Sequence, residues 1–399
     1  MTENSLSPSS LYSAFDVFPA PKGAATHIKH MASTLFNDTG SGCLYTLGGE
    51  GLSNYQRQDS MELIRFNQKI PNLLQRAIAY GDQLTTALQQ RSDSLKICHF
   101  RDPWGGLPIL SHRASTNASY KTVYEVNALP SIELPYAFEH ISPATLAKIA
   151  AQEMLCLEHC DTIITPSHAT ANMLVNKGIA REKITVVVNG ADINQPQPKP
   201  VEAPAQYLIY FGAIQQWQGI EDLLRAFSLL ADFEQLKLVM CVSKHNRIAK
   251  KYRKMADKLG ISDRIVWNFG LTQEQLVPWV QHATISLAPL TDCSRNREQG
   301  CCPLKILESM AAAVPVVASD LPVVRELIAD NVHGKLVRAD RHHEFSLAVR
   351  CLLEEPEVAV EMGRKGQQHL AENFTWQQSC QTLSGVYQKL LTEQVAVTS

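Results

Sequence analysis

The chain has 399 residues, with 37 Lys+Arg against 39 Asp+Glu for a formal net charge of -2, and it is 45% hydrophobic and 19% charged. At ~150 residues per domain this length predicts two or three domains, with enough apolar surface for more than one core. A near-neutral chain lacks the basic footprint of broad nucleic-acid binding, so no nucleic-acid partner is expected.

The opening MTENSLSPSSLYSAF has no basic stretch followed by a long apolar run, which predicts no signal peptide. No segment approaches the ~20 apolar residues of a spanning helix. Strands are predicted at 11–18, 43–47, 95–100, 122–126, 161–165 and 184–189, with helices near 24–36, 59–89, 143–160 and 168–177. The segment NQPQPKPVEAPAQ (194–206) reads as an extended linker, because its prolines fit neither sheet nor helix. The pattern then restarts. Strands are predicted at 207–212, 236–242, 264–269, 284–289, 314–319 and 335–338, and helices near 219–231, 244–259, 272–282, 303–313 and 321–329. Helices near 340–371 and 376–392 end the chain. Such β-α alternation predicts an α/β protein: two Rossmann-like, doubly wound domains facing a cleft. The expected division is 1–193, linker 194–206 and 207–375, with the 376–392 helix returning to the first domain.

The ten cysteines are irregularly spaced, and without a signal peptide they are expected to stay reduced in the cytosol. Cys156, His159, Cys160 and His168 raise a metal site. MLCLEHC, however, has the pattern of a helix end, and cysteine is commonly buried, so no metal ligand is assigned. The run KHNRIAKKYRKMADK (244–258) reads most simply as a solvated helix, and it leaves peripheral membrane contact open.

Four segments carry chemistry. In GCCPLKILESMAAAVPVVASD (300–320), Pro303 suits a helix's first turn, and the amides of Leu304 and Lys305 then point toward an anion. Glu308, one turn on, lies on an apolar face with Leu304, Ala311 and Ala312. It is either a solvated side chain or the partner of a ribose diol. In VFPAPKGAATHIKHMASTLF (17–36), Gly23 and Ala24 open a helix that is either a second anion site or an ordinary turn. His27 follows in its first turn. CHFRDPWGG (98–106) ends a strand with His99, Arg101, Asp102 and Trp104, and YEVNALP (124–130) ends one with Glu125 and Asn127. Polar groups at the C-terminal ends of such strands are often functional, and an Arg101–Asp102 loop cap is the alternative.

The residues then resemble a family. KGAATHIKHMASTL, DTIITPSHATANMLVNKGIAREKITVVVNGAD (161–192), YFGAIQQWQGIEDLLRAF (210–227), RIVWNFGLTQEQL (264–276) and CPLKILESMAAAVPVVASDLPVVRELI (302–328) are similar, in order and spacing, to retaining GT-B glycosyltransferases of family 4. The resemblance implies a nucleoside-diphosphate sugar on the C-terminal domain as substrate, with no cofactor and no metal. It implies a sugar, lipid or small-molecule acceptor mostly on the N-terminal domain. Glu308 matches the second Glu of the family's Glu-x7-Glu motif, which holds the ribose. Three departures stand out. The first Glu falls on Gly300, and the Arg and Lys that clamp the pyrophosphate fall on Ala213 and Gln218. Lys305, with Arg295 or Arg297, is expected to replace those cations. No Asp-x-Asp occurs, which favours stabilisation by helix dipoles and side-chain cations.

The expected site is therefore His99, Arg101 and Lys305 at the reaction. Gly23, Ala24, Gly212, Arg297, Leu304, Lys305 and Glu308 would hold the donor, and His27, Asp102, Trp104, Glu125 and Asn127 the acceptor. A non-catalytic scaffold, a nucleotide-sugar-modifying enzyme such as an epimerase and, more weakly, a dinucleotide oxidoreductase are the alternatives.

Overall fold

The computed structural model describes residues 7–58, 60–243 and 246–398, without the side chains of residues 246, 248 and 395–398. Two compact units emerge: Met1–Ala20 with Ala24–Val187 and Ser379–Ser399, and Pro21–Gly23 with Val188–Gln378. Their elements run β1 (Ser10–Val17), α1 (Gly23–Thr39), β2 (Gly42–Leu47), β3 (Tyr55–Gln58), β4 (Met61–Phe66), α2 (Leu73–Gln89), β5 (Ile97–Phe100), α3 (Pro103–Thr116), β6 (Lys121–Glu125), α4 (Pro130–Ala137), α5 (Pro143–His159), β7 (Thr162–Thr165), α6 (His168–Asn176) and β8 (Ile184–Val186). Residues 187–206 form neither helix nor strand. There follow β9 (Tyr207–Gly212), α7 (Ile220–Ser228), β10 (Lys237–Val242), α8 (Asn246–Lys258), β11 (Ile265–Phe269), α9 (Gln273–Gln281), β12 (Ile285–Ala288), α10 (Leu304–Ala311), β13 (Val316–Ser319), α11 (Pro322–Arg325), β14 (Gly334–Val337), α12 (His342–Glu354), α13 (Pro356–Asn373) and α14 (Trp376–Thr398).

The first sheet runs β3-β4-β2-β1-β5-β6-β7-β8, and the second β11-β10-β9-β12-β13-β14. All pairs are parallel except β3 with β4. Parallel strands covered on both faces are apolar throughout, as YLIYFG and TIIT are. Tyr45, Tyr80, Phe100 and Tyr124 fill the core of the first unit, and Leu223, Leu238, Phe227 and Ile285 that of the second. In each sheet the strand order reverses beside its first strand, at β1/β5 and at β9/β12. The crevice beyond the carboxyl ends of such strands is where doubly wound sheets take ligands.

Three elements differ from expectation. The predicted helix over 59–89 starts only at Leu73, where Asn72 caps it by accepting from the amides of Leu74 and Gln75. Ahead of it, β3 and β4 form an antiparallel hairpin, held in place by buried Arg65, which donates to the carbonyls of Phe18 (2.9 Å) and Ser53 (2.8 Å). Helices α3 and α4, left unassigned by the sequence pattern, both open on a proline, Pro103 and Pro130. The helix expected over 340–371 is two, because Pro356 cannot continue α12 and instead opens α13. Residues 244 and 245 of the basic run lie outside the described residues. Among the described residues, no helix is long and apolar enough to cross a membrane.

Candidate functional site

In the first unit, the strand ends at the switch point converge on one carboxylate. Glu125, at the end of β6, is 2% exposed. Its Oε2 accepts from the Tyr12 hydroxyl of β1 (2.7 Å) and lies 3.1 Å from His99 Nε2 of β5. Its Oε1 accepts from Arg101 Nε (2.7 Å) and from Asn127 Nδ2, and lies 2.7 Å from His27 Nε2 of α1. Burial works against the charge of Glu125, but His27 and Arg101 overcome it and hold the carboxyl well below the usual range. Burial also opposes the Arg101 charge, and Glu125 more than compensates. His99 Nδ1 meets the Tyr387 hydroxyl of α14 at 2.7 Å. Burial lowers the His99 pKa, which keeps the ring neutral.

These contacts change two expected roles. His99 is fully buried with both ring nitrogens facing protein groups, so it positions Glu125 and does not reach a substrate. Glu125 has both oxygens committed to internal donors and is an interior anchor, not an acceptor ligand. Arg101, Asp102, Trp104 and Asn127 do line one pocket of about 230 Å³, together with Phe15 and Glu133. Asp102 also caps α3, accepting from the Gly105 amide (2.9 Å) and from the Phe15 amide (2.7 Å). Burial pushes its carboxyl up to about 6 against those two bonds.

In the second unit the donor-side residues gather around the turn after β9. Gly212 ends the strand at φ 120°, and the Trp217–Gln218–Gly219 turn follows. A side chain at Gly219 would strike the Pro289 carbonyl oxygen at 1.7 Å, so only glycine closes this turn. The turn places Gln218 Oε1 where it accepts from Lys305 Nζ (2.5 Å). Lys305 is 8% exposed, and its ammonium lies 4.0 Å from the centre of the Tyr210 ring. Burial lowers its pKa to about 7. Ser309 fixes the helix beneath it, its hydroxyl donating to the Lys305 carbonyl (2.6 Å) and hydrogen-bonded with the Ser286 hydroxyl on β12 (2.7 Å). Glu308, half-buried, accepts from Gln273 Nε2 of α9 (3.1 Å). Loss of solvation pushes its carboxyl up to about 7, against the Gln273 bond and the Lys305 charge.

Pro303 stands just before α10 rather than inside its first turn, and Leu304 is the first helical residue. Gly300 has φ 79° and ψ 175°, a conformation that L side chains rarely adopt. Arg297 is exposed and bound to both oxygens of Asp292, so its charge is already matched. Arg295 instead lies 5.0 Å over the Trp217 ring. Buried Asn296 pins the loop by donating to the carbonyls of Trp217 and Thr291, both at 2.8 Å. Gly23 and Ala24 open α1.

Tyr12, Tyr387, Tyr210, Gln273 and Asn296 were not singled out from sequence. Each has a partner far along the chain, 288 residues away for Tyr387, and no local pattern marks it. Among the described residues no group of three or more His, Cys, Asp or Glu side chains is arranged to hold a metal. Burial pushes the Cys160 thiol up to about 12.

Comparison with known proteins gives two adjoining family matches: Glycosyltransferase Family 4 over residues 21–195 and Glycosyl transferases group 1 over residues 192–369. The D-inositol 3-phosphate glycosyltransferase of Streptomyces avermitilis is 26% identical over 284 residues, 66% of this chain and 59% of that protein. The lipopolysaccharide core biosynthesis mannosyltransferase LpcC of Rhizobium leguminosarum is 27% identical over 224 residues, 52% of this chain and 60% of that one. The chain thus spans about three fifths of the length of these relatives. Among solved structures, sucrose-phosphate synthase from Thermosynechococcus elongatus superposes with a TM-score of 0.79 at 16% identity, over 96% of this chain and 100% of that one. HepE from Anabaena, solved with UDP and glucose, gives 0.72 at 15% identity, over 96% and 100%. These likenesses show the GT-B fold. With the two matches running together from residue 21 to residue 369, the chain belongs to glycosyltransferase family 4.

Proposed function

We propose that the protein is a retaining, metal-independent glycosyltransferase that takes a nucleoside-diphosphate sugar on its second unit and an acceptor hydroxyl on its first. The observation that carries this reading is the pairing of Lys305 and Glu308 on one helix. A buried cation with no carboxylate bonded to it among the described residues, one turn from a carboxylate that accepts from Gln273, suits a diphosphate and a ribose diol. The start of α10 adds amides that favour an anion. Solved HepE holding UDP-glucose supports a donor of this class. Arg101, Asp102, Trp104 and Asn127 suit an acceptor's hydroxyls.

In the reaction the bond from the anomeric carbon to the diphosphate oxygen breaks, and the acceptor oxygen bonds to the same face. The acceptor's proton passes to the departing phosphate oxygen. Lys305 and the helix start stabilise the charge that develops there.

The test is a thermal-shift panel of nucleoside-diphosphate sugars, followed by product analysis with the best donor and a set of acceptors. Transfer with the anomeric configuration kept is expected. Donor turnover without any acceptor would point to a sugar-modifying enzyme, and no donor binding at all to a scaffold. Because protein cations supply the stabilising charge, transfer is expected to survive EDTA, assayed by product formation. Loss on chelation with recovery on Mg²⁺ or Mn²⁺ would contradict the metal-independent reading.

A further inference from the structure

Glu153, on α5, is a buried carboxylate that the proposed reaction does not use. It is 2% exposed. Its Oε1 accepts from the Ser131 amide (2.7 Å) and its Oε2 from the Ser131 hydroxyl (2.5 Å). Burial pushes the carboxyl above its ordinary range, against both Ser131 bonds and the Lys177 charge. Ser131 is the second residue of α4, whose N-cap is Leu129, a side chain with nothing to offer the unpaired amides of a helix start. Glu153 therefore caps α4 from the neighbouring helix, where a carboxylate also suits the helix dipole.

The position of α4 bears on the pocket of Arg101 and Asp102. Pro130, Glu133 and Leu134 of α4 line that pocket, and Asn127 and Ala128 line it just ahead of the helix. Core packing alone does not set this position, because no residue of α4 is buried and Ile132 packs only partly on the core. Buried Leu129 anchors the backbone before the helix, and the Glu153 bonds fix its first turn. Glu133 and Leu134 stand within one turn of Ser131, so losing the tether lets them shift with it. We propose that Glu153 is a positioning residue for the acceptor: it sets α4, and through α4 the wall of the pocket that takes the acceptor's hydroxyls. This assignment rests on that pocket being the acceptor side.

The test is steady-state kinetics on the full chain, with the best donor of the thermal-shift panel and p-nitrophenyl glycosides as acceptor probes, joined to hydrogen exchange of α4. Glu153→Ala should raise the acceptor KM about tenfold, the scale of one hydrogen bond to a charged group. The donor KM and kcat should stay near wild type. Faster exchange at the amides of α4, and not at those of α2, should accompany the change. Glu153→Gln can keep both bonds, with the Ser131 hydroxyl accepting from its side-chain amide, and should restore KM. Ser131→Ala removes the hydroxyl bond alone. It should raise KM less, and it keeps the test open should Glu153→Ala fail to fold. In the Glu153→Ala background it should add nothing. Leu88→Ala is the control for plain destabilisation. It opens core space at the other end of α2 from the pocket residue Leu73, and should lower the melting temperature with the acceptor KM unchanged. An acceptor KM unmoved in Glu153→Ala and Ser131→Ala, or raised as much by Leu88→Ala, overturns the proposal. Equal α4 exchange in wild type and Glu153→Ala does so too. Failure of the glycosyltransferase reading would appear separately, as no transfer by the wild type with any donor.

Discussion

Glu125→Gln is expected to destabilise the first unit by about 3–5 kcal/mol, the usual cost of breaking a buried ion pair from one side. The substitution leaves Arg101 buried without its counter-charge and turns an amide toward donors that need an acceptor. For a unit of this size each kcal/mol moves the midpoint by about 2–4 °C, so thermal denaturation should shift by roughly 6–20 °C. Tyr387→Phe should cost less, about 0.5–1.5 kcal/mol, for one neutral hydrogen bond. The pH dependence has a definite sign. The Glu125 carboxyl is held below its ordinary value in the folded state. Its stabilisation is therefore complete above the unfolded pKa, about 4.5, and is lost as pH falls through the folded pKa. The gap between wild type and Glu125→Gln should be constant at neutral pH and narrow under acid. A variant that melts with the wild type would return Glu125 to the acceptor-binding role expected from its sequence position.

That contrast explains what the sequence disclosed. Glu125, Asn127, His99 and Arg101 were all found by one rule: polar groups at strand ends of an α/β sheet are often functional; His27 was marked by its place in the first turn of α1. The rule places residues near one another but does not say which of them faces outward. Orientation is decided by Tyr12 and Tyr387, whose hydroxyls close the cluster from β1 and α14. Apolar runs gave the strands because parallel strands buried on both faces have no polar alternation to confuse them. The β3–β4 hairpin escaped because one of its inward side chains is Arg65, a charge satisfied by carbonyls brought from the loops around residues 18 and 53. On the second unit, the placement of Lys305 and Glu308 one turn apart on α10 was legible from the helix pattern, while a donor role for Glu308 came from the family resemblance. For Arg297 the spacing did not reveal its local partner, Asp292, five residues earlier.

Glu308→Ala is expected to weaken donor binding on the order of 10²- to 10⁴-fold. It removes two charge-assisted hydrogen bonds to ribose hydroxyls, worth roughly 1.5–3 kcal/mol each. Lys305→Met should cost about 10- to 100-fold, and only for ligands that carry the diphosphate. Because both groups titrate near pH 7 in the free protein, affinity for a sugar nucleotide should itself depend on pH. Ribose hydroxyls donate to the ionised carboxylate, so binding lowers the Glu308 pKa and affinity falls as pH drops below about 7. The diphosphate favours the charged amine, so binding raises the Lys305 pKa and affinity falls as pH climbs above about 7. Calorimetry from acid to alkaline pH should give a bell, each limb approaching tenfold per pH unit. Glu308→Gln should erase the acid limb and Lys305→Met the alkaline one. A plain nucleoside should retain only the acid limb. The exchange Lys305→Gln with Gln218→Lys moves the charge to the other end of a 2.5 Å hydrogen bond, so diphosphate affinity should recover most of what Lys305→Gln alone loses. A flat profile, or a nucleoside weakened as much as its diphosphate by Lys305→Met, would show that Lys305 does not meet the phosphates. An exchange variant no better than the single one would show that the replacement cation must come from position 305 itself.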